Sequence, residues 1–346
     1  MKEFFWNKKV LLLGGTGTVG ECILQKLLSL DVKTVRVFSR DEHKQFAMQN
    51  RYQDRRLRFL LGDVRDPDRV LKAAEDIDVI FNLAALKHVP ACEYNPYEAV
   101  KTNVMGTQNV INAAVSQKVG HVILTSSDKA VSPTNAMGAT KLLAERLISS
   151  AYYSQGAHKT AFCAVRFGNV MGSRGSVIPL FKEQIINSGK VTITDPSMTR
   201  FMMTCDEAAA LTMQAATMAK YGEIFVLKMP TLRVGDLAEV VIDLTSEKFN
   251  LDRSKVFTEV IGLRPGEKMY EELMTEEESE VAFDLAKMYM IPPQNFYNRY
   301  VEADPQIKNA PKGEYRSKDS TLLTKGEIER LLRSYKLVEC PALLKK

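Results

Sequence analysis

The sequence predicts an α/β protein with a doubly wound parallel sheet, followed by a smaller and more irregular C-terminal part. Three observations carry that expectation. Short apolar runs alternate with amphipathic stretches through the first half, a glycine-rich turn (GGTGTVG) follows the first run, and the alternation breaks down after about residue 168. Six runs have the length and composition of strands: KVLLLG (9–14), TVRVFS (34–39), LRFLLG (57–62), DVIFNLA (78–84), HVILTSS (121–127) and TAFCAVRF (160–167). Between them lie GECILQKLLSL, RVLKAAEDI, EAVKTNVMGTQNVINAAVSQ and GATKLLAERLISSAYYSQ, whose apolar positions recur every three to four residues. Strands joined through helices form right-handed crossovers and a parallel sheet covered on both faces. Nearly continuous apolar strands suit such a buried sheet.

Past residue 168, glycines, prolines and polar loops become frequent, as in GNVMGSRGSVIP and around ITDPSMTR. EIFVLKM (223–229) reads as one more strand returning to the sheet, LRVGDLAEVVIDLTSEKF follows it, and KGEIERLLRSY is an amphipathic helix near the end. The expected organisation is a Rossmann-type dinucleotide-binding domain over 1–168, with that returning strand, and a mainly substrate-binding subdomain over 169–346.

Composition excludes several classes. Of 346 residues 45% are hydrophobic and 26% charged, as in a globular protein, and the net charge of +5 is spread along the chain. No basic stripe interleaved with aromatics points to nucleic acid. Cys22, Cys92, Cys163, Cys205 and Cys340 are scattered without a CxxC pair, which suggests reduced thiols in the cytoplasm. The four histidines lack metal-ligand spacing, so no metal site is expected. No apolar run approaches the ~20 residues that span a bilayer. MKEFFWNKKVLLLGG leads into glycines and reads as a first strand, not a signal core.

GGTGTVG occupies Gly14, Gly15, Thr16, Gly17, Thr18, Val19 and Gly20, between the first strand and the first helix. There the GxGxxG pattern has a physical meaning. Glycines let the backbone approach a pyrophosphate, whose charge meets the amides of the helix N-terminus. The second strand should end beside the adenosine ribose, where the sequence reads Ser39-Arg40-Asp41 with Lys44 close behind. Ser39, Arg40 and Lys44 suit the 2′-phosphate of NADP, while Asp41 keeps NAD as the alternative. Asp63 and Val64 after the third strand either meet the adenine or form a strand-ending turn.

Ser127, Asp128 and Lys129 end the fifth strand, at the edge that borders the ligand crevice of an open parallel sheet. Lys141 opens the next helix near the same edge, one turn beyond Met137. A hydroxyl, a carboxylate and two amines gathered there suggest acid–base chemistry.

These segments resemble the extended short-chain dehydrogenase/reductases, and more narrowly the UDP-N-acetylglucosamine 4,6-dehydratases. The resemblance rests on GGTGTVG, FSRDEHKQ, GDVRD, NLAALKHVPACEYNPYEAVKTNVMGTQNV, SSDKAVSPTNAMGATK, RFGNVMGSRGSVIPLF, TRFMMT and IGLRPGEKMYEEL, over residues 10 to about 275. It implies hydride removal from C4 of the sugar, loss of water across C5–C6 and hydride return to C6. In that scheme Asp128 protonates the departing C6 hydroxyl, Lys129 takes the C5 proton and Ser127 bonds the C4 oxygen. Lys141 holds the nicotinamide ribose, and Asn103 matches the superfamily's helix asparagine. Ala84, Ala85 and Lys87 line the cofactor; Lys87, His88, Asn169, Arg174, Ser176, Arg200, Arg264 and Glu267 face the UDP-sugar. Glu267 either orients ribose hydroxyls or holds a turn.

Met137 departs from the family's usual YxxxK tyrosine, as in some branches of these dehydratases. A thioether accepts no proton, so Asp128, Lys129 or a Lys141-bound water must receive the one leaving O4. Catalysis by Lys129 calls for a pKa near 7–8, and burial and nearby positive charge push that way. Long members of the family carry an amino-terminal membrane region absent from this sequence. Relatives form dimers or hexamers, so a homo-oligomer is expected. A 4-epimerase or reductase on the same fold is the nearest alternative, and a catalytically silent NADP-binding sensor or scaffold the alternative of another class.

Overall fold

The computed structural model describes residues 1–263 and 266–338. The chain forms two compact units, one of 1–167, 206–228 and 273–314, the other of 168–205, 229–272 and the residues from 315 on. The first unit holds a nine-stranded sheet: β1 (Lys9–Leu13), β2 (Thr34–Ser39), β3 (Leu57–Leu61), β4 (Val79–Asn82), β5 (His121–Thr125), β6 (Ala161–Arg166), β7 (Glu223–Leu227), β8 (Phe283–Asp284) and β9 (Met288–Ile291). Their spatial order is β8-β9-β7-β6-β5-β4-β1-β2-β3. The seven from β3 to β7 run parallel. β9 and β8 close the far edge antiparallel.

The α/β class and the Rossmann-type sheet are those the sequence predicted. The apolar alternation with helices explains why: Val10–Leu13, Val79–Phe81 and Val122–Ile123 have no solvent exposure, since helices cover both faces. Strand order reverses at β1, which lies between β2 and β4, and this opens a crevice outside the carboxyl ends of β1 and β4. The second half gives this unit more than the one returning strand expected. Residues 206–228 and 273–314 both pack into it. β8 and β9 are two and four residues long, too short for a period-two pattern to register.

Arg166, the last residue of β6, ties these segments together. Its guanidinium donates to both oxygens of Glu145, at 2.7–3.0 Å, and to both of Glu278, at 2.7 and 2.8 Å. Glu145 lies on the helix Ala136–Ser154, and Glu278 lies in the 273–314 segment. Burial alone would push the Glu278 carboxyl up, but the Arg166 bonds outweigh it and hold the carboxyl below its usual range.

In the second unit, Asn169–Val170, Thr199–Met203 and Thr231–Arg233 form a three-stranded sheet, and Lys190–Ile193 pairs parallel with Phe257–Val260. Helices Val177–Ser188, Val234–Phe249 and Lys325–Ser334 enclose a separate core that includes Phe181, Ile185, Val241, Ile328 and Leu332.

Replacing Arg166 with Leu leaves two carboxylates buried without their cation, a change that typically costs about 3–5 kcal/mol. Urea unfolding of Arg166→Leu should show a loss of that order. A loss below about 1 kcal/mol would mean that the guanidinium does not hold these segments.

Candidate active site at the strand ends

The glycine turn is shaped by close backbone approaches. Gly14 has φ of +77°, and a Cβ there would stand 2.8 Å from the Ala84 amide nitrogen. A Cβ on Gly20 would meet the Gly15 carbonyl oxygen at 2.7 Å, so this residue lets the helix Thr18–Leu28 start directly against the turn. That helix has Gly17 as its N-cap without a side-chain cap bond, and a helix N-terminus of this kind favours an anion. Gly15 and Thr16 are buried, whereas Thr18, Val19, Ala84 and Ala85 are half-buried around the turn. A cradle that side chains would fill, at an uncapped helix N-terminus, fits the pyrophosphate of a dinucleotide.

At the end of β2, the Ser39 hydroxyl and carbonyl both accept from the Gln45 side-chain amide, at 3.0 and 3.1 Å. Arg40 is exposed and lies 3.6 Å from Asp63. Asp41 caps the helix Glu42–Tyr52, accepts from the Lys44 amide at 2.9 Å and pairs with the Lys44 ammonium. The Lys44 hydrogen bond chiefly lowers the Asp41 pKa. Partial burial pushes Asp63 up, but the Arg65 guanidinium and amide, helped by Arg40, more than offset it and lower the carboxyl's pKa. Val64 is buried against Gly106.

The reactive group forms where β5 ends. Ser127 caps a short 3₁₀ turn over Asp128–Ala130, and its hydroxyl donates to Asp128 Oδ1 at 2.8 Å. The Lys129 ammonium donates to the same oxygen at 3.0 Å. Asp128 is only 1% exposed, and its Oδ2 has no hydrogen-bond partner among the described residues. A buried carboxylate oxygen left open in this way is costly unless something binds there. Lys129, expected to be desolvated, keeps 26% of its side chain exposed and is ion-paired.

The helix Ala136–Ser154 brings Met137 and Lys141 to this turn, and Gly138 permits it. A Cβ at Gly138 would stand 2.2 Å from the Lys129 carbonyl oxygen. Asn135 caps this helix through the Gly138 amide, at 2.9 Å. Lys141 is buried, donates to the Thr125 carbonyl at 2.9 Å and has its pKa lowered to about 8, mainly by burial and against the pull of Glu145. Met137 is 3% exposed and belongs to an apolar cluster with Cys92 and Ala99, packed by Leu86, Val89 and Ala136. Asn103 sits in a π-helical turn, Val100–Met105. Its side chain bonds the Leu86 backbone in both directions (2.8 and 3.0 Å) and Thr140 Oγ1 (3.0 Å). It therefore fixes the loop after β4 to the Lys141 helix. Lys87 and His88 are exposed in that loop.

Sequence reasoning missed several residues here. Asn82 Oδ1 and Ser126 Oγ are further buried polar atoms without a partner among the described residues, both at strand ends. Their signal was two polar residues closing apolar runs. Gly138 and Thr140 were visible only as spacers in MGATK.

In the second unit, Asn169 begins a strand, Arg174 is exposed and Ser176 is the N-cap of Val177–Ser188, with its buried hydroxyl lacking a partner among the described residues. Arg200 was expected to face the UDP-sugar, at its diphosphate or ribose, and the structure shows which protein groups it also holds. Its guanidinium donates to the carbonyls of Thr199, Met269 and Lys268, at 2.8, 3.3 and 2.8 Å, and lies 3.6 Å from Glu271. Glu267 accepts from the Thr194 hydroxyl at 3.2 Å. Arg264 and Cys340 lie outside the described residues. Among the described residues no His, Cys, Asp and Glu group could hold a metal, and no helix is long and apolar enough to cross a membrane.

A Rossmann-type sheet with a glycine cradle at β1 and a buried polar group at the end of β5 defines a protein of the dinucleotide-binding fold with a candidate site at its crevice. The chain belongs to the polysaccharide biosynthesis protein family, whose model matches residues 10–293. It is 47% identical over 333 residues, 96% of this chain and 97% of the relative, to an uncharacterized membrane protein of Methanocaldococcus jannaschii. It is 40% identical over 343 residues to the UDP-glucose 4-epimerase of Rickettsia bellii, covering 97% and 98% of the two chains. The solved structure of Pen from Bacillus thuringiensis superposes with a TM-score of 0.90 at 52% identity, over 96% of this chain and 99% of that one. The dTDP-glucose 4,6-dehydratase DesIV from Streptomyces venezuelae shares the fold, with a TM-score of 0.66 at 22% identity over 75% and 86% of the chains.

The Lys141 pKa of about 8 has a consequence for stability. An unfolded lysine titrates near ~10.4, so between these values the unfolded chain binds more protons and stability rises with pH. Below pH 8 the whole burial penalty is present, on the order of 3 kcal/mol. Lys141→Met should therefore stabilise the protein at pH 7 by about 1–3 kcal/mol in urea melts, with the gain shrinking as pH approaches 10. A destabilised variant would contradict this.

Proposed function

We propose that this protein is a UDP-N-acetylglucosamine 4,6-dehydratase, forming a UDP-4-keto-6-deoxy-N-acetylhexosamine for polysaccharide or modified-sugar biosynthesis. The observation that supports it most is the buried Asp128 carboxylate, held by Ser127 and Lys129 with one oxygen open. Loss of water across C5–C6 needs a proton given to O6 and a proton taken from C5, and an acid beside an amine supplies both.

A nicotinamide dinucleotide in the glycine cradle supplies reversible hydride acceptance, from C4 at first and to C6 at the end. Asp128, a carboxylate at the outset, takes the proton released from O4 in the first oxidation and, now the carboxylic acid, gives it to the departing O6 hydroxyl. Lys129, as the neutral amine, takes the C5 proton that the C4 ketone has acidified. The two transfers turn an acid–amine pair into a carboxylate–ammonium pair, the arrangement that the 3.0 Å contact favours. Lys129 then returns a proton to C5, which leaves Asp128 a carboxylate and Lys129 a neutral amine, as at the start. The proton count closes without a tyrosine. Ser127 orients the C4 oxygen, while Lys141 binds the nicotinamide ribose.

A 4-epimerase is the second reading, favoured by the end-to-end match to a relative of that name. It requires chemistry at C4 alone and leaves the Asp128–Lys129 pair without a task. Incubation with UDP-N-acetylglucosamine in D₂O, followed by proton NMR, separates the two readings. The dehydratase yields a 4-keto-6-deoxy sugar carrying deuterium at C5. Lys129→Ala should lose C5 exchange and at least ~10³-fold in kcat, beyond general-base contributions of about 10²–10⁴ at the lower end, while Met137→Ala keeps turnover within about tenfold. A C4 epimer without deuterium at C5 would establish the epimerase reading, and no product at all the silent one.

NADP is the proposed cofactor, since Arg40 is exposed at the end of β2 while Asp41 is engaged by Lys44. In fluorescence titrations Arg40→Ala should weaken NADP about tenfold, roughly one charge-assisted contact, and leave NAD unchanged. Equal effects on both cofactors would remove the case for NADP.

A further inference from the structure

We infer that Leu337, near the C-terminus and far in sequence from any motif, is a positioning residue for the loop Gly172–Ser176. The loop belongs to the second unit, as does Leu337. Gly172 and Gly175 both adopt left-handed conformations, φ +67° and +70°, and glycine-rich turns of this kind have other conformations open to them. Backbone bonds of the loop include Met171 N–H to the Met203 carbonyl (2.8 Å), Ser173 N–H to the Val170 carbonyl (3.2 Å) and Ser176 N–H to the Ser173 carbonyl (2.9 Å).

Leu337 adds a packing restraint to these bonds. Its Cδ2 would lie 2.6 Å from a Cβ at Gly172, so the methyl group fills the space where that residue has no side chain. Two backbone bonds after the helix Lys325–Ser334 aim it there. Leu337 N–H donates to the Leu332 carbonyl at 3.0 Å, and Lys336 N–H to the Arg333 carbonyl at 3.0 Å, the paired bonds of a Schellman turn. Lys336 takes the left-handed position, φ +52°, where glycine is usual. The strained lysine is held because Leu337 and Val338 pack onto the core of this unit. The sequence SYKLV (334–338) thus bends the chain back beneath the loop that carries Arg174 and Ser176.

The role is tied to the dehydratase reading, in which this loop contacts the UDP-sugar, and it adds a restraint on substrate affinity outside every recognised motif. The loop's order can be read without activity, because Arg174 is exposed and offers a trypsin site. In Leu337→Ala, mass spectrometry should find cleavage after Arg174 at least fivefold faster than in the wild type. KM for UDP-N-acetylglucosamine should rise about tenfold, with kcat changed less than twofold and NADP affinity unaltered. Leu337→Met should restore both. Lys336→Gly, which relieves the turn, should slow cleavage, and it keeps the test open if the alanine variant unfolds.

Unchanged cleavage in Leu337→Ala and in Lys336→Gly would overturn the pinning of the loop. Faster cleavage with an unchanged KM, or kcat falling as far as KM rises, would overturn the link to substrate. Should the wild type not turn over this sugar, the dehydratase reading falls by itself. Protection of Arg174 by UDP, lost in Leu337→Ala, then decides whether the loop is positioned for a uridine nucleotide.

Discussion

The site depends on one close approach, that of the helix Ala136–Ser154 to the turn after β5. At Gly138 the helix backbone comes so near the Lys129 carbonyl that any side chain would force it away. That approach carries Lys141 under the Thr125 carbonyl and sets Met137 against the loop after β4. The helix is secured from both ends of its buried face. Thr140 accepts from Asn103, and Glu145 grips Arg166 at the end of β6. A helix fixed at several points along one face cannot drift, and a catalytic geometry needs that rigidity.

The same burial that places Lys141 also destabilises it. An ammonium this far from water is an expensive group to retain for packing alone, since a methionine would fill the volume without the penalty. Its lowered pKa fits a functional reason for keeping the charge. Asp128 presents a parallel case, with one oxygen doubly bonded by Ser127 and Lys129 and the other left open. The unpartnered atoms of Asn82, Ser126 and Asp128 all lie at the carboxyl ends of β4 and β5, where an open parallel sheet takes its ligands. Three buried polar atoms without a partner among the described residues thus gather at this crevice, above strands that are apolar.

The sheet was legible in the sequence because its strands are long apolar runs separated by helices of matching period. β1 to β6 and the return of β7 follow from that pattern, whereas β8 and β9 are too short to show it. The division of the chain was less legible. Residues 273–314 join the first unit through Glu278 and its partner Arg166, a contact between positions 112 apart that no local pattern encodes. In the site, residue types and strand-end positions pointed to Ser127, Asp128, Lys129 and Lys141. Their partners were hidden, because a hydrogen bond from Asn103 to Leu86 depends on how helices pack and not on spacing. Arg200 illustrates the limit. Its motif suggests an anion, and the structure adds carbonyl partners on Thr199, Lys268 and Met269 that no local spacing encodes.

Met137 is explained by its surroundings better than by its departure from a motif. Cys92, Ala99, Leu86 and Val89 enclose it in an apolar cluster that offers the thioether packing on every side. A phenol placed there would bury a hydroxyl and require a partner for it, whereas sulfur and methyl groups fill irregular gaps without one. Methionine is therefore the residue that this pocket accommodates, and the proton chemistry must lie elsewhere. Asp128 and Lys129, at the end of β5, are the groups proposed to carry it, and they already meet at hydrogen-bond distance. A pair that both gives and takes protons has no need of a third acid–base group to balance the elimination. On the proposed mechanism, loss of the tyrosine removes one route for the O4 proton, and the route that replaces it ends on a carboxylate whose second oxygen is open to receive it.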